Sequence, residues 1–186
     1  VLSGLLEYAS AKKCPAVVAT TGLSEEQIAD INECSKTVPM FFSANMSIGV
    51  NLISELAAKA ARVLEGSFDI EIVEAHHNQK IDAPSGTALM LADSISDALS
   101  VKPKYEFDRH SKRAKRSKNE IGIHSIRGGT IVGEHEIIFA GHDKIITISH
   151  SARSKELFAT GAINAALFLD GKPAGLYNMR QLVDAK

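Results

Sequence analysis

Residues 74–87 of the chain read Glu-Ala-His-His-Asn-Gln-Lys-Ile-Asp-Ala-Pro-Ser-Gly-Thr and join a predicted strand to a predicted helix. Before them, residues 68–72 alternate apolar and polar side chains, which is typical of a strand with one face in water. After them, residues 85–99 are predicted to form a helix, and the Pro-Ser-Gly run suits its first turn, with Ser85 as the N-cap. Residues 74–87 therefore connect two elements of a fold that layers helices on a sheet.

The sequence around this connection predicts a mixed or antiparallel sheet covered by helices. Further strands are indicated by apolar alternation between glycine turns, and a long helix is indicated by an apolar stripe at helical spacing. We therefore expect a four-stranded mixed sheet with helices on one face. The predicted elements of this region and of the tail are helix 47–65, strand 68–76, helix 85–99, strands 120–127, 134–140 and 144–150, helix 155–169 and an irregular tail at 171–186.

The first 45 residues have a different pattern, in which short apolar runs alternate with helices. A helix at residues 2–12 is followed by an apolar run at 16–19, and a second apolar run follows at 39–42. Such runs between helices are typical of parallel strands that are buried on both faces. Ser24 and Gln27 have the spacing of a capping box, so a helix is expected to begin there. This region is predicted to be part of an α/β layer.

Composition and charge exclude several classes of protein. The 186 residues are 45% hydrophobic and carry a net charge of −1, so no overall electrostatic attraction to nucleic acid or to an acidic membrane is expected. Two cysteines cannot build a disulfide framework in a chain of this size, which favours a cytoplasmic location. The sequence has no apolar run near the ~20 residues that span a bilayer, and its start lacks the pattern of a signal peptide.

The connection at 74–87 also holds the densest group of chemically useful side chains. The free amides of a helix start and the Thr87 hydroxyl can bind an anion, and Lys80 adds a positive charge. His76 or His77 can exchange protons near neutral pH. The group therefore predicts a site for an anionic substrate, most simply a carboxylate, with acid catalysis beside it. The alternative is that the histidines cap a strand and the Ser-Gly-Thr run only begins a helix.

Two loops, Thr20-Thr21-Gly22 and residues 43–46, follow apparently parallel strands, where open α/β sheets bind nucleotides. Taken alone, each loop is better explained by turn formation. Residues 128–133 have two glycines at P-loop spacing but continue with Glu-His, so phosphate binding is not expected there.

The seven histidines raise the hypothesis of a metallohydrolase. The sequence contains neither H-E-x-x-H nor C-x-x-C, so we expect no catalytic metal. His135, His142 and His150 fall on or beside predicted strands, where a hydrogen-bonded structural role is favoured.

Residues 109–118 contain six basic side chains: Arg109, Lys112, Arg113, Lys115, Arg116 and Lys118. A solvated, mobile loop is the favoured interpretation. A second hypothesis for the whole chain is a non-catalytic oligomeric or nucleic-acid-binding module that uses the sheet and this basic run.

Several motifs resemble those of one enzyme family. Residues 74–88 have the pattern E-x-H-H-x-x-K-x-D-A-P-S-G-T-A, which is close to diagnostic for the dihydrodipicolinate reductases, also called 4-hydroxy-tetrahydrodipicolinate reductases. Further similar stretches lie at residues 20–22, 43–51, 126–135 and 175–179, and the resemblance covers essentially the whole chain.

The resemblance implies an NADH- or NADPH-dependent oxidoreductase of diaminopimelate and lysine biosynthesis. Its reaction transfers a hydride to the dehydrated form of 4-hydroxy-tetrahydrodipicolinate and gives tetrahydrodipicolinate. By resemblance, His76 is the catalytic acid/base and Lys80 the proton donor. The residues that would contact the substrate carboxylates are His77, Ser85, Gly86 and Thr87. Those that would line the nicotinamide are Ala19, Thr20, Thr21, Ser43, Ala44, Asn45 and Met46.

The resemblance also implies the domain organisation. Residues 1–46 and 157–186 would form part of a Rossmann-like nucleotide-binding domain, and residues 47–156 an α+β domain for substrate binding and tetramerisation. The expected partners are a small cyclic dicarboxylate and three further copies of the chain, with no nucleic acid and no membrane. The uncovered face of the predicted sheet supports a homotetramer independently.

The family's N-terminal glycine-rich turn is absent from this sequence. We therefore expect an N-terminally truncated chain that is inactive by itself, because pyrophosphate binding positions the reactive ring. The residues that distinguish NADH from NADPH would precede Val1. Ala19 stands where the family usually has glycine, a change that the loop should tolerate.

Overall fold

In the computed structural model, which describes residues 1–185, the helices and strands alternate through most of the chain. The chain forms two compact units, a first unit of Val1–Asn51 with Lys155–Lys186 and a second unit of Leu52–Ser154. The elements are α1 (Leu2–Lys12), β1 (Ala16–Val18), α2 (Glu25–Ser35), β2 (Pro39–Phe42), α3 (Ile48–Leu64), β3 (Asp69–His76), α4 (Gly86–Ala98), β4 (Lys104–Glu106), β5 (Glu120–Arg127), β6 (Gly133–Ala140), β7 (Ile145–Ala152), α5 (Glu156–Leu169), β8 (Gly175–Tyr177) and α6 (Met179–Asp184).

The first unit is built on a parallel sheet in the order β1-β2-β8. β2 is its central strand, and its residues Met40 and Phe41 point to opposite faces of the sheet. Both side chains are fully buried because helices cover both faces. Met40 packs with residues of α1 and α2, whereas Phe41 packs with residues of α5 and α6. The parallel pairing predicted for the two apolar runs is confirmed. The capping box at Ser24 is also confirmed.

The second unit is built on a mixed sheet in the order β4-β5-β3-β6-β7. β3 is parallel to β5 and antiparallel to β6, so the sheet is mixed as predicted. Apolar side chains of α3 and α4 cover one face, where Ile72, Leu91, Ile121 and Ile137 are fully buried. Burial of this apolar surface is the main stabilisation of the unit.

The prediction of four strands in this sheet is wrong, because the sheet has five. The additional strand, β4, is only three residues long, so alternation cannot reveal it in the sequence. It pairs in parallel with the start of β5, and the Tyr105 hydroxyl donates to Asp93 over 2.7 Å. Both contacts are between residues that are distant in sequence.

The tail predicted to be irregular contains β8 and α6. Gly175, Leu176 and Tyr177 pair with β2, whose residues lie more than 130 positions earlier in the chain. Asn178 caps α6 in a capping box with Gln181, and α6 buries Met179 and Leu182. A three-residue strand and a six-residue helix are too short for periodicity to show.

The basic run 109–118 is a largely exposed loop, as predicted, but three of its six basic side chains are anchored to the sheet. Arg116 donates to Glu71 and to Asp69, and also to the carbonyls of Ile70 and Glu120. Two further members of the run, Arg109 and Lys112, form ion pairs with Glu120 and Glu106, respectively. These carboxylates lie on β3, β4 and β5, so the run is held against the sheet by partners that its own sequence does not reveal.

Within residues 1–185, none of the helices has the length and apolar character needed to cross a membrane.

Candidate active site at the end of β3

The connection between β3 and α4 carries the predicted substrate site. Ser85 is the N-cap of α4, as predicted, and its Oγ accepts from the Ala88 N–H over 3.2 Å. The connecting loop is fastened to the ends of the strands, because Gly128 N–H donates to the His76 carbonyl and Asn78 N–H to the Gly129 carbonyl. These two bonds fix the start of the loop at the end of the sheet.

Glu74 is the centre of the polar contacts at this site, although its side chain has no exposed surface. Arg127 donates to both of its carboxylate oxygens, over 2.7 and 2.8 Å, and the Ser85 N–H donates over 3.1 Å. Burial raises the pKa of Glu74, but hydrogen bonds from Arg127, His76, Ser125 and Ser85 outweigh it and lower the pKa to about 2. Glu74 is therefore an anion at neutral pH.

His76 is oriented by this anion. Its Nδ1 lies 2.6 Å from Glu74 Oε2, and since an ionised carboxylate only accepts, Nδ1 is the donor. The other ring nitrogen, Nε2, faces Gly133, where an added Cβ would stand only 3.2 Å from it. Nε2 is therefore the atom of His76 at which a proton can be exchanged with a ligand.

Lys80 and His77 lie on the loop beyond His76. The Lys80 ammonium donates to Asp82 over 2.8 Å, and this contact is the main cause that lowers the pKa of Asp82. The Lys80 side chain is only 21% exposed. Its charge also makes a small contribution to lowering the pKa of buried His135. His77 is half-buried at the start of the loop.

At the start of α4, Ser85 is bonded within the protein and Gly86 lies at the surface. The Ser85 N–H and hydroxyl are engaged with Glu74, Ala88 and His135. Gly86 is exposed, and a Cβ added to it would meet no atom within 4 Å. The surface in front of Gly86 is therefore open to a ligand, whereas Ser85 contributes by holding the first turn in place.

Sequence reasoning did not assign Glu74, Arg127 or His135 to the site. Glu74 lies two residues after Ile72, and His135 two residues before Ile137, so both side chains point to the buried face of the sheet. A charged or polar residue among such apolar positions was the signal in the sequence that could have identified them. Arg127 gave no such signal because its partner lies on another strand.

His135 is nine-tenths buried and stacks edge-on against His76, with ring centroids 5.2 Å apart. Its Nε2 lies 3.1 Å from Ser85 Oγ, as expected for a hydrogen-bonded structural histidine. Its buried Nδ1 has no hydrogen-bond partner within the described chain. Burial is the main cause that lowers the pKa of His135 to about 4, and the nearby His76 adds to the effect.

This lowered pKa predicts a loss of stability in mild acid. In the unfolded chain His135 takes up a proton near pH 6.5, whereas in the folded state its pKa is about 4. Between these two pH values, acid therefore favours the unfolded chain, and the free energy of unfolding falls as the pH is lowered from 6.5 toward 4. We expect the free energy of unfolding to fall by about 2 kcal/mol between about pH 7 and pH 5 from this residue. Urea denaturation of the wild type and His135→Gln should show a flatter pH dependence for the variant. Exposed His142→Gln should behave like the wild type, and equal slopes for all three proteins would contradict the assignment.

The predicted nicotinamide residues lie in the first unit, at the carboxyl ends of β1 and β2. The two loops are adjacent, since Ser43 N–H donates to the Val18 carbonyl. The second loop is an internally bonded turn, in which Asn45 Oδ1 accepts from the Ser47 N–H and Asn51 donates to the Asn45 carbonyl. The structure thus brings together Ala19, Thr20, Thr21, Ser43, Ala44 and Asn45.

Met46 differs from the other loop residues because its side chain is buried in the core of the first unit. Only its backbone can line a ligand. Thr20 and Thr21 are exposed and Asn45 is half-buried, so polar side chains of both loops reach the surface.

None of the predicted site residues lines the main cavity of the second unit. A cavity of about 660 Å³ lies at the opposite end of β3, between Gly66, Leu99 and Gly141. Within the described part of the chain, no three His, Cys, Asp or Glu side chains are grouped so that they could hold a metal ion.

Adjacent loops at the carboxyl ends of parallel strands are typical of α/β enzymes that bind dinucleotides, and the second unit carries a Glu-His pair beside a helix start. Family descriptions of dihydrodipicolinate reductase match both parts, the N-terminus over residues 1–46 and the C-terminus over residues 49–183. The chain therefore belongs to the dihydrodipicolinate reductase family, which consists of NAD(P)H-dependent oxidoreductases of diaminopimelate and lysine biosynthesis. The resemblance found in the sequence is confirmed.

Individual relatives agree with this assignment. The chain is 57% identical over 182 residues to the 4-hydroxy-tetrahydrodipicolinate reductase of Caldanaerobacter subterraneus subsp. tengcongensis, covering 98% of this chain and 72% of that protein. It is 54% identical over 178 residues to that of Clostridium tetani, covering 96% and 69%, respectively. A dipicolinate-bound dihydrodipicolinate reductase from Paenisporosarcina sp. TG-14 superimposes with a TM-score of 0.71 at 26% identity, covering 96% of this chain and 69% of the other.

Proposed function

We propose that the connection between β3 and α4 binds a small cyclic dicarboxylate and supplies the proton for its reduction. The observation that carries this proposal is the Glu74–His76 hydrogen bond, which leaves His76 Nε2 for proton exchange at the connection that also carries Lys80 and the open start of α4. In the proposed assignment, His76 is the acid/base and Lys80 the proton donor. The groups proposed to hold the carboxylates are His77 and the turn of Ser85, Gly86 and Thr87.

Charge supports a dicarboxylate as the ligand. Helix-start amides and an ammonium stabilise an anion through charge-assisted hydrogen bonds. Lys80 is held by Asp82 alone among the contacts of the described chain, and Asp82 is largely exposed, so a substrate carboxylate can replace it. The solved relative from Paenisporosarcina is bound to dipicolinate, a planar cyclic dicarboxylate, which supports the same ligand class here.

The cofactor assignment is proposed for the first unit. NAD(P)H supplies the hydride in this family, and the residues proposed to line its nicotinamide are Ala19, Thr20, Thr21, Ser43, Ala44, Asn45 and the backbone of Met46. Their placement at the carboxyl ends of β1 and β2 supports this, because ligands of open α/β sheets bind there. In this proposal, residues 1–46 and 157–186 bind the nucleotide and residues 47–156 bind the substrate.

We also propose a homotetramer and a cytoplasmic location. On the face of the second unit's sheet that carries Glu71, Ile126 and Ile145 are 51% and 67% exposed. Exposed isoleucines on a sheet face favour cover by further copies of the chain. Cys14 and Cys34 are both free, which agrees with a reducing compartment.

Calorimetric titration with pyridine-2,6-dicarboxylate tests the substrate site. Lys80→Ala is expected to weaken binding by roughly 1.5–3 kcal/mol, because a hydrogen bond to a charged group is lost. Asp82→Asn is expected to strengthen binding, because it releases the Lys80 ammonium. His76→Ala should change affinity less than Lys80→Ala, since its proposed role is proton transfer.

Lys102→Ala is the matched control, because Lys102 also pairs with an aspartate, Asp97, but is exposed and lies outside the site. Its affinity should equal that of the unmutated chain. The proposed site is refuted if the unmutated chain shows no binding or if Lys80→Ala binds equally well.

A further inference from the structure

Glu74 is a charged residue on the face of the sheet that holds the apolar core of the second unit. Its neighbours of the same parity on β3 are Ile70 and Ile72, which lie in the core under α3 and α4. An ionised carboxylate at such a position is stable only when every lone pair has a donor. Glu74 meets this condition, because Oε2 accepts from His76 and Arg127, and Oε1 accepts from Arg127 and the Ser85 N–H.

The four contacts come from three separate elements. His76 ends β3, Arg127 ends β5, and Ser85 caps α4. Arg127 extends the connection, since its guanidinium also donates to the Asp82 carbonyl over 2.7 Å. One carboxylate thus links the proposed acid/base, the loop that carries Lys80 and the turn proposed to bind the substrate.

We propose that Glu74 is the positioning residue of this site, which holds His76 with its proton on Nδ1 and with Nε2 toward Gly133, and which fixes the start of α4 relative to that ring. The inference rests on the proposed function for the role of His76 in proton transfer. The predicted position of the proton on the His76 ring does not depend on that role. Arg127 supports Glu74 by keeping the carboxylate ionised and in place.

The hydrogen-bond donors and acceptors around Glu74 predict how the proton of His76 responds to a substitution of Glu74. Every partner of Glu74 with a fixed hydrogen-bonding role is a donor, namely Arg127 and the Ser85 N–H. In Glu74→Gln the new amide group has two N–H donors that need an acceptor. Two neighbours can accept: the Ser125 hydroxyl accepts from one N–H, and His76 Nδ1 accepts from the other by moving its proton to Nε2. The substitution is therefore expected to exchange the roles of the two ring nitrogens.

Nitrogen-15 NMR of histidine-labelled protein measures this directly, at alkaline pH where the imidazole is neutral. The His76 signals are assigned by their loss in His76→Gln. In the unmutated chain we expect a protonated Nδ1 and an unprotonated Nε2, and in Glu74→Gln we expect the reverse. Glu74→Asp retains the acceptor and should keep the original tautomer. Glu134→Gln, an exposed glutamate on β6, is the matched control and should also keep it.

The outcomes separate a positioning role from a merely structural one. If Glu74→Gln folds and His76 keeps its proton on Nδ1, the proposal is overturned. If that variant does not fold, the unmutated chain still decides, because a His76 with its proton on Nε2 contradicts the proposal. No ligand is present in this experiment, so a failure of dicarboxylate binding would leave its result unaffected and would count only against the proposed function.

Discussion

Replacing Arg127 by Met is expected to lower the free energy of unfolding by about 4 kcal/mol, because it leaves the buried Glu74 carboxylate without its two strongest donors. The Arg127 side chain is 19% exposed and Glu74 is not exposed at all, so water cannot replace the guanidinium well. Met has a similar length and keeps the contacts of the aliphatic stem. Urea denaturation followed by circular dichroism measures the loss.

Two comparisons show whether the charge is the cause. Arg62→Met removes an exposed arginine of α3 and should change stability by less than about 0.5 kcal/mol. The double variant Glu74→Gln with Arg127→Met no longer buries an uncompensated anion, so it should be more stable than Arg127→Met alone. Equal stabilities of Arg127→Met and Arg62→Met would show that Glu74 does not depend on this pair.

The second large effect is expected at Gly161, in the middle of α5. An added Cβ would stand 1.7 Å from the Met46 carbonyl oxygen and 2.8 Å from its carbonyl carbon. Both are backbone atoms, so they cannot move away as a flexible side chain could. Gly161→Ala should therefore lower the free energy of unfolding by about 3 kcal/mol, because overpacking outweighs the better helix propensity of alanine. Thermal denaturation followed by circular dichroism measures this.

Gly4→Ala is the matched control in another helix of the same unit. Gly4 is exposed in α1, and an added Cβ meets no atom within 4 Å. The substitution should raise stability by about 0.5–1 kcal/mol through helix propensity alone. If Gly161→Ala also raised stability, the close packing of α5 on the Met46 backbone would be disproved.

The long periodic elements could be predicted from the sequence because their signals are local. Ser24 and Ser85 cap helices through residues three positions away, and the apolar stripe of α3 repeats every turn. The motif at residues 74–88 was specific enough to indicate the family. Residue types singled out Lys80 and the pair His76 and His77 there, and the resemblance assigned the acid/base role to His76.

Only the tertiary structure showed how these residues are held. Arg127 meets Glu74 across 53 residues of sequence, and Ser85 meets His135 across 50. β4 and β8 exist because they pair with β5 and β2, and each is three residues long. The basic run lies against the sheet because Glu71 and Asp69 are on β3. A local pattern determines helices, caps and motif chemistry, whereas pairing between distant residues is decided by the fold that brings them together.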